Sequence, residues 1–201
     1  MTPTAGRLHV IAGPMFAGKT EQLITRVTRA RLAGRDPLVL SHGLDTRGGE
    51  ERLHTHSGAS TPATMVTSCS EIEDLARRHR PALLAIDEAQ FFGEGLVALV
   101  DRLLASGTDV ILAGLSVTFD GRPFSPLPEL MAVAEQVTKL TAICTLCGQD
   151  AAFHIRLLSS TEARADPLGP SAPLVGGSES YAARCRTHRD ALREDASRSS
   201  G

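Results

Sequence analysis

Eight residues near the start constrain this chain more than any others. Gly13-Pro14-Met15-Phe16-Ala17-Gly18-Lys19-Thr20 fits the spacing G-x-x-x-x-G-K-[ST]. Glycines at both ends let backbone N–H groups turn inward around phosphate oxygens. Such a nest gains from lying between a strand and a helix, because the helix points its positive end at the same anion. Both neighbours are present. Leu8–Ala12 is a short apolar run that reads as a buried strand. Lys19 to Ala33 reads as a helix with Leu23, Ile24, Val27 and Ala30 on one face and Gly34 as its stop. In this setting Lys19 reaches the β- and γ-phosphates of a nucleotide, and the Thr20 hydroxyl is placed to ligate Mg²⁺.

The rest of the chain repeats the alternation. Strands are expected at Pro37–Ser41, Ala82–Asp87 and Asp109–Leu115, with a further β-like run at Val137–Ile143. Helices are expected at Glu71–His79, Leu96–Ala105 and Glu129–Ala134, and His42 to Thr64 reads as one long polar loop. Strand runs that are continuously apolar belong in a sheet covered on both faces. Alternation with helices implies right-handed crossovers, hence an α/β fold with a mostly parallel sheet flanked by helices.

Two further constellations carry chemistry. The third expected strand ends in Asp87-Glu88-Ala89-Gln90-Phe91. Asp87, beside the phosphate loop, can hold Mg²⁺ through water. Glu88 points elsewhere and is available to accept a proton from an attacking hydroxyl or water. Later come Cys144-Thr-Leu-Cys147 and Cys185-Arg-Thr-His188, two half-sites of x₂ spacing that together supply four ligands for tetrahedral Zn²⁺. Four protein ligands close the coordination sphere, so the metal is structural. Between the halves the chain is poor in core residues and carries a Pro/Gly/Ser-rich stretch from Asp166 to Ser178. The expected organisation is therefore a nucleotide-binding domain over 1–141, a zinc-binding domain with a long loop over 142–193, and a disordered tail over 194–201.

Composition narrows the partners. The net charge is −2, and the chain has no Trp, one Tyr and six Phe. Neither a basic field nor a platform for stacking bases is present, so nucleic acid is not the expected partner. No apolar run approaches the ~20 residues that span a bilayer, and Met1 to Gly6 lacks a secretory pattern. The expectation is a cytoplasmic protein with no membrane partner. A P-loop ATPase whose zinc module binds nucleic acid stays open, since Arg184, Arg186, Arg189 and Arg193 crowd the second half-site. A non-catalytic nucleotide sensor is the third reading, disfavoured because a sensor needs no base at Glu88.

Taken in order, GPMFAGKT at 13–20, DTR at 45–47, DEAQFF at 87–92, GL–TF–G–PF at 114–124, CTLC at 144–147 and VGGSESYAARCRTH at 175–188 closely resemble the thymidine kinase family, in its zinc-containing, cytosolic type II class. The resemblance spans about Gly6 to Arg189. It implies phosphoryl transfer from ATP to the 5′-hydroxyl of thymidine, giving dTMP and ADP. It implies Glu88 as the general base, Asp87 in the Mg²⁺ site, and Arg47 and Gln90 with the loop residues on the ATP side. It places Met15, Phe91, Leu115, Phe119, Phe124 and Tyr181 around the thymine ring. Val175, Gly176 and Gly177 fall in a lasso that closes over that ring. A homotetramer and feedback inhibition by dTTP also follow from the resemblance. The chain departs from the family's pattern at Ser116, Thr118, Asp120 and Arg122, and in a longer, proline-rich lasso. Those departures bear on metal dependence and loop closure, not on the reaction class.

Overall fold

The computed structural model describes residues 5–43, 52–55, 58–157 and 181–190. Among these, six strands form one sheet in the order β5-β2-β6-β7-β1-β8, every neighbouring pair parallel. They are β1 (Leu8–Gly13), β2 (Leu38–His42), β5 (Thr64–Val66), β6 (Leu83–Asp87), β7 (Asp109–Leu115) and β8 (Gln136–Lys139). Helices α1 (Lys19–Leu32), α2 (Cys69–His79), α3 (Gly95–Ala105) and α4 (Leu127–Val133) make the crossovers, with a single 3₁₀ turn at Ala89–Phe92. Every residue of β1 and β6 is buried, as their unbroken apolar runs require.

Two cores cover the two faces. On one, Val10, Leu40, Leu84, Ile86 and Leu112 pack against Ile72 of α2, Leu96, Leu99 and Val100 of α3, and Leu127 and Leu130 of α4. On the other, Ile11, Val39, Ala85 and Ala113 meet Leu23, Ile24 and Val27 of α1. α1 ends as its sequence implies, with Gly34 at φ 75° donating to Arg31 O. α2 starts two residues before the expected Glu71. Ser68 caps it, its Oγ accepting from Glu71 N at 3.3 Å, while the Glu71 carboxylate accepts from Thr67 N at 2.9 Å.

Two expectations are corrected. The segment 42–64 is not one loop. It contains β3 (Arg52–His54) and β4 (Ser60–Pro62), an antiparallel pair, and the chain enters β5 at Thr64. Strands of three residues are too short to show a period, and only Leu53, buried against α1, betrays the ribbon. The run 137–143 is not one strand either. β8 pairs with β1, and the chain then leaves the sheet for β9 (Ala142–Ile143), which pairs antiparallel with β10 (Asp150–Ala151). Hydropathy alone could not show that Ala142 turns toward a different, smaller core.

That smaller core consists of Ala142, Cys144, Ala151, Ala183 and Cys185. Beside it β11 (Phe153–Arg156) and β12 (Tyr181–Arg184) form an antiparallel pair, with His154 opposite Ala183 and Arg156 opposite Tyr181. No helix among the described residues is long and apolar enough to cross a membrane.

Candidate active site

The phosphate loop leaves the carboxyl end of β1, where strand order reverses and α/β sheets bind ligands. Phe16 (φ 65°) and Gly18 (φ 79°) take left-handed conformations, the kind of backbone that curls a loop into an anion-binding nest. Lys19 Nζ donates to Pro14 O at 2.8 Å across the loop. Burial lowers the Lys19 ammonium from its ordinary value, and the Glu88 and Asp87 carboxylates oppose that shift.

β7 lies between β1 and β6, so Asp87 at the end of β6 faces the loop from two strands away. Its Oδ2 accepts from Thr20 Oγ1 at 2.8 Å, and its Oδ1 accepts from Glu88 N at 2.9 Å. Burial and the adjacent Glu88 push the Asp87 carboxyl up to about 7, against the two hydrogen bonds and the Lys19 charge. A buried acid so raised, facing a hydroxyl, is a ready place for a cation.

Glu88 itself is half-buried, at φ 53°. Gln90 holds it in place: Nε2 donates to Glu88 Oε2 at 2.5 Å while Oε1 accepts from Leu115 N at 2.9 Å. Gln90 is itself buried, and both ends of its amide serve this bridge between the end of β6 and the end of β7. The bridge needs Gly114, where a Cβ would stand 2.7 Å from Gln90 Oε1.

The expected ring-binding residues lie on several elements. Phe91 stands 5.4 Å, centroid to centroid, from the ring of His42. Leu115 is buried at the end of β7. Phe119 sits in the turn closed by the Val117–Pro123 bridge, and Phe124 N donates to Ser116 O at 3.1 Å. Tyr181 begins β12. Its partner Arg156 lays its guanidinium 4.2 Å from the Phe119 ring centroid and 6.0 Å from that of Tyr181. The departures at 116–122 close on themselves: Thr118 bonds Asp120, which pairs with Arg122 Nε at 3.2 Å. Arg47, Val175, Gly176, Gly177 and Arg193 lie outside the described residues.

Three site neighbours escaped sequence reasoning. His154, buried, accepts from Met15 N at 3.5 Å through Nδ1 and meets Tyr181 edge-on at 5.9 Å. Burial and the Lys19 charge hold it down at about 4, so it is neutral at pH 7. Arg156 clamps Phe119, and His42 packs on Phe91 and Phe92. No spacing marks them. Only the β11–β12 register brings His154 and Arg156 to this place.

Some distance along the chain, Cys144, Cys147, Cys185 and His188 converge, their ligand atoms all within 4.8 Å of one another. The separations are 3.7 Å for Cys144 Sγ to His188 Nδ1, 3.8 Å for Cys147 Sγ to Cys185 Sγ, and 3.3 Å for Cys185 Sγ to His188 Nδ1. A Zn–S bond of about 2.3 Å gives a tetrahedral S···S edge of about 3.8 Å, so the residues fit a zinc ion. Burial pushes the Cys144 thiol up. Backbone N–H groups of Cys185, Leu146 and Cys147, with the His188 ring, overcome this and bring it to about 5, the thiolate a metal requires. The nearby arginines are engaged within the fold. Arg184 is buried and bonds Thr145 Oγ1 and Ala183 O, and Arg186 and Arg189 stack on Phe153.

Sheet and site define a P-loop α/β protein with a Cys₃His cluster able to hold a metal such as zinc. The family model named thymidine kinase matches residues 6–189. A thymidine kinase of Deinococcus deserti is 43% identical over 194 residues, covering 92% of this chain and 95% of that one. One from Mycoplasmoides gallisepticum is 39% identical over 188 residues, covering 94% and 83% respectively. One from Halobacterium salinarum is 42% identical over 194 residues, covering 94% and 97%. The chain belongs to the thymidine kinase family.

Proposed function

We propose that this member of a family of thymidine kinases moves the γ-phosphate of ATP onto the 5′-hydroxyl of thymidine, with Glu88 as the general base. The observation that carries the reading is the hydrogen bond of 2.8 Å between Thr20 of the phosphate loop and Asp87 at the end of β6, with Glu88 next in the chain and tied to Gln90. Gly13 to Thr20 grip the triphosphate, with Arg47 adding positive charge. Two hard oxygen donors, Thr20 Oγ1 and Asp87 Oδ2, suit Mg²⁺, which when bound neutralises charge on the β- and γ-phosphates. Glu88 takes the proton from the nucleoside hydroxyl as that oxygen attacks phosphorus. Met15, Phe91, Leu115, Phe119, Phe124 and Tyr181 enclose the base, and the segment containing Val175, Gly176 and Gly177 closes over it and excludes water. Thymine is an uncharged ring, so enclosure by apolar and aromatic side chains suits it.

The reading extends to organisation. Residues 1–141 form the nucleotide unit and 142–193 a zinc-held unit carrying the lasso, and the enzyme works in the cytoplasm as a homotetramer inhibited by dTTP. Incubation with ATP, Mg²⁺ and a panel of deoxynucleosides tests the central claim. Formation of dTMP, with thymidine preferred, is the expected result. ADP release without any nucleoside monophosphate overturns it.

A further inference from the structure

Ser41 lies near the carboxyl end of β2, beside the proposed cation site. It is wholly buried, and its Oγ has no hydrogen-bond partner among the described residues. A buried hydroxyl left unpaired is a net cost to a fold, and alanine would fill the same strand position without it. Its location suggests what offsets that cost.

Ser41 is the register partner of Asp87. Paired residues on neighbouring strands direct their side chains to the same face. The core assignments agree. The pair before, Leu40 and Ile86, belongs to the core against α2, α3 and α4, while Val39 and Ala85 belong to the core against α1. Ser41 and Asp87 therefore both face α1, the helix that begins with the phosphate loop. On that face Asp87 already accepts from Thr20 Oγ1 and from Glu88 N.

We propose that Ser41 is a further positioning residue of the cation site, its hydroxyl oxygen accepting a hydrogen bond from a water of the hydrated divalent cation that Thr20 and Asp87 hold. Mg²⁺ keeps several of its waters in nucleotide sites. A metal-bound water donates both hydrogens, so it needs acceptors on the protein side. Ser41 Oγ, unpaired among the described residues, supplies one. Partners of this outer kind orient the ligands that touch the metal. The inference rests on the cation site of the proposed function.

The test measures Mn²⁺ affinity of the full chain in the presence of ADP, from the electron paramagnetic resonance signal of free Mn²⁺. It also measures thermal unfolding without nucleotide. Ser41→Ala is expected to weaken Mn²⁺ binding about tenfold, the low end for an outer partner, while Tm stays level or rises. Ser41→Cys, nearly the same size but a poor hydrogen-bonding group, is expected to weaken it similarly. Unchanged Mn²⁺ affinity in both variants overturns the proposal, as does a fall in Tm that accounts for the loss. Asp87→Asn separates the two readings. If it weakens Mn²⁺ binding and the Ser41 variants do not, the cation site stands and Ser41 is no part of it. If Asp87→Asn has no effect either, the cation site itself is misplaced.

Discussion

The two functional regions of this molecule hold their groups in place by different means. The phosphate end rides on a parallel sheet with a core on each face, built from leucines, isoleucines and valines. The Cys₃His unit has a core of three alanines and two cysteines. Apolar burial stabilises at roughly 25 cal/mol per Å², and side chains that small bury little. The four convergent ligands could hold a metal there, whose bonds would substitute for hydrophobic area. The regions meet at a seam where Ala17 packs on the small core, His154 accepts from Met15 N, and Arg156 lies over Phe119. A site built on a sheet should tolerate loss of its neighbour, and a site built on a metal should not tolerate loss of the metal.

The sharpest way to break this contrast is to remove a ligand. Cys185→Ala, or a strong chelator, is expected to unfold the metal-held unit, since structural zinc supplies about 10–16 kcal/mol in small zinc domains. Limited proteolysis should then cut between residues 142 and 190, while ADP affinity falls by no more than about tenfold, the worth of the seam contacts. Equal collapse of both properties would show one cooperative unit.

Glu88→Gln acts on the other side of the comparison. It is expected to leave the fold and ADP binding intact and to lower kcat by about 10²–10⁴-fold, the range for losing a general base. A steady-state assay with thymidine as acceptor measures this, and an unchanged kcat removes Glu88 from the role.

The seam itself has a pH signature. His154 is held at about 4 in the folded chain against 6.5 as its ordinary value. Below 6.5 the unfolded chain binds the proton more readily, so stability is full at neutral pH and falls as pH drops from 6.5 toward 4. The loss amounts to about 3 kcal/mol over that interval. The raised Asp87 runs the opposite way, its contribution present at low pH and lost as pH climbs through 7. Urea unfolding of wild type and His154→Gln at pH 7 and pH 4.5 isolates the histidine. The gap between the two proteins should narrow or reverse in acid, and a gap independent of pH would mean that His154 titrates normally.

The smallest effect is expected at Gly114→Ala. The new Cβ displaces Gln90 from Leu115 N, because the two atoms would be 2.7 Å apart. Urea unfolding should register about 1–3 kcal/mol of destabilisation, the usual scale for overpacking. With Glu88 released from Gln90, kcat should fall while KM for ATP changes little. Lost stability with normal kcat would make the Gln90 bridge a purely structural device.

Most of the sheet was legible because buried parallel strands and amphipathic helices leave long signals. Leu8–Gly13, Leu83–Asp87 and Asp109–Leu115 stand within a residue of where hydropathy puts them. The short ribbon Arg52–His54 with Ser60–Pro62 was not legible, and neither was the break between Lys139 and Ala142. Elements of two or three residues are defined by their partners, not by a period of their own. The convergence of Cys144, Cys147, Cys185 and His188 could be read from paired x₂ spacings, since two residues that close in sequence share a turn.

What the sequence determined by itself is the chemistry that is local in the chain: a glycine-framed anion nest, adjacent acids at a strand end, and two ligand pairs. Backbone conformation and near-neighbour spacing suffice for these. What only the tertiary structure decided is which distant groups stand beside them: His154 against the phosphate loop, Arg156 on Phe119, Gln90 between Glu88 and Leu115, and Ser41 level with Asp87. Those juxtapositions depend on strand order and register, which arise from long-range packing and have no trace in the spacing of residues along the chain.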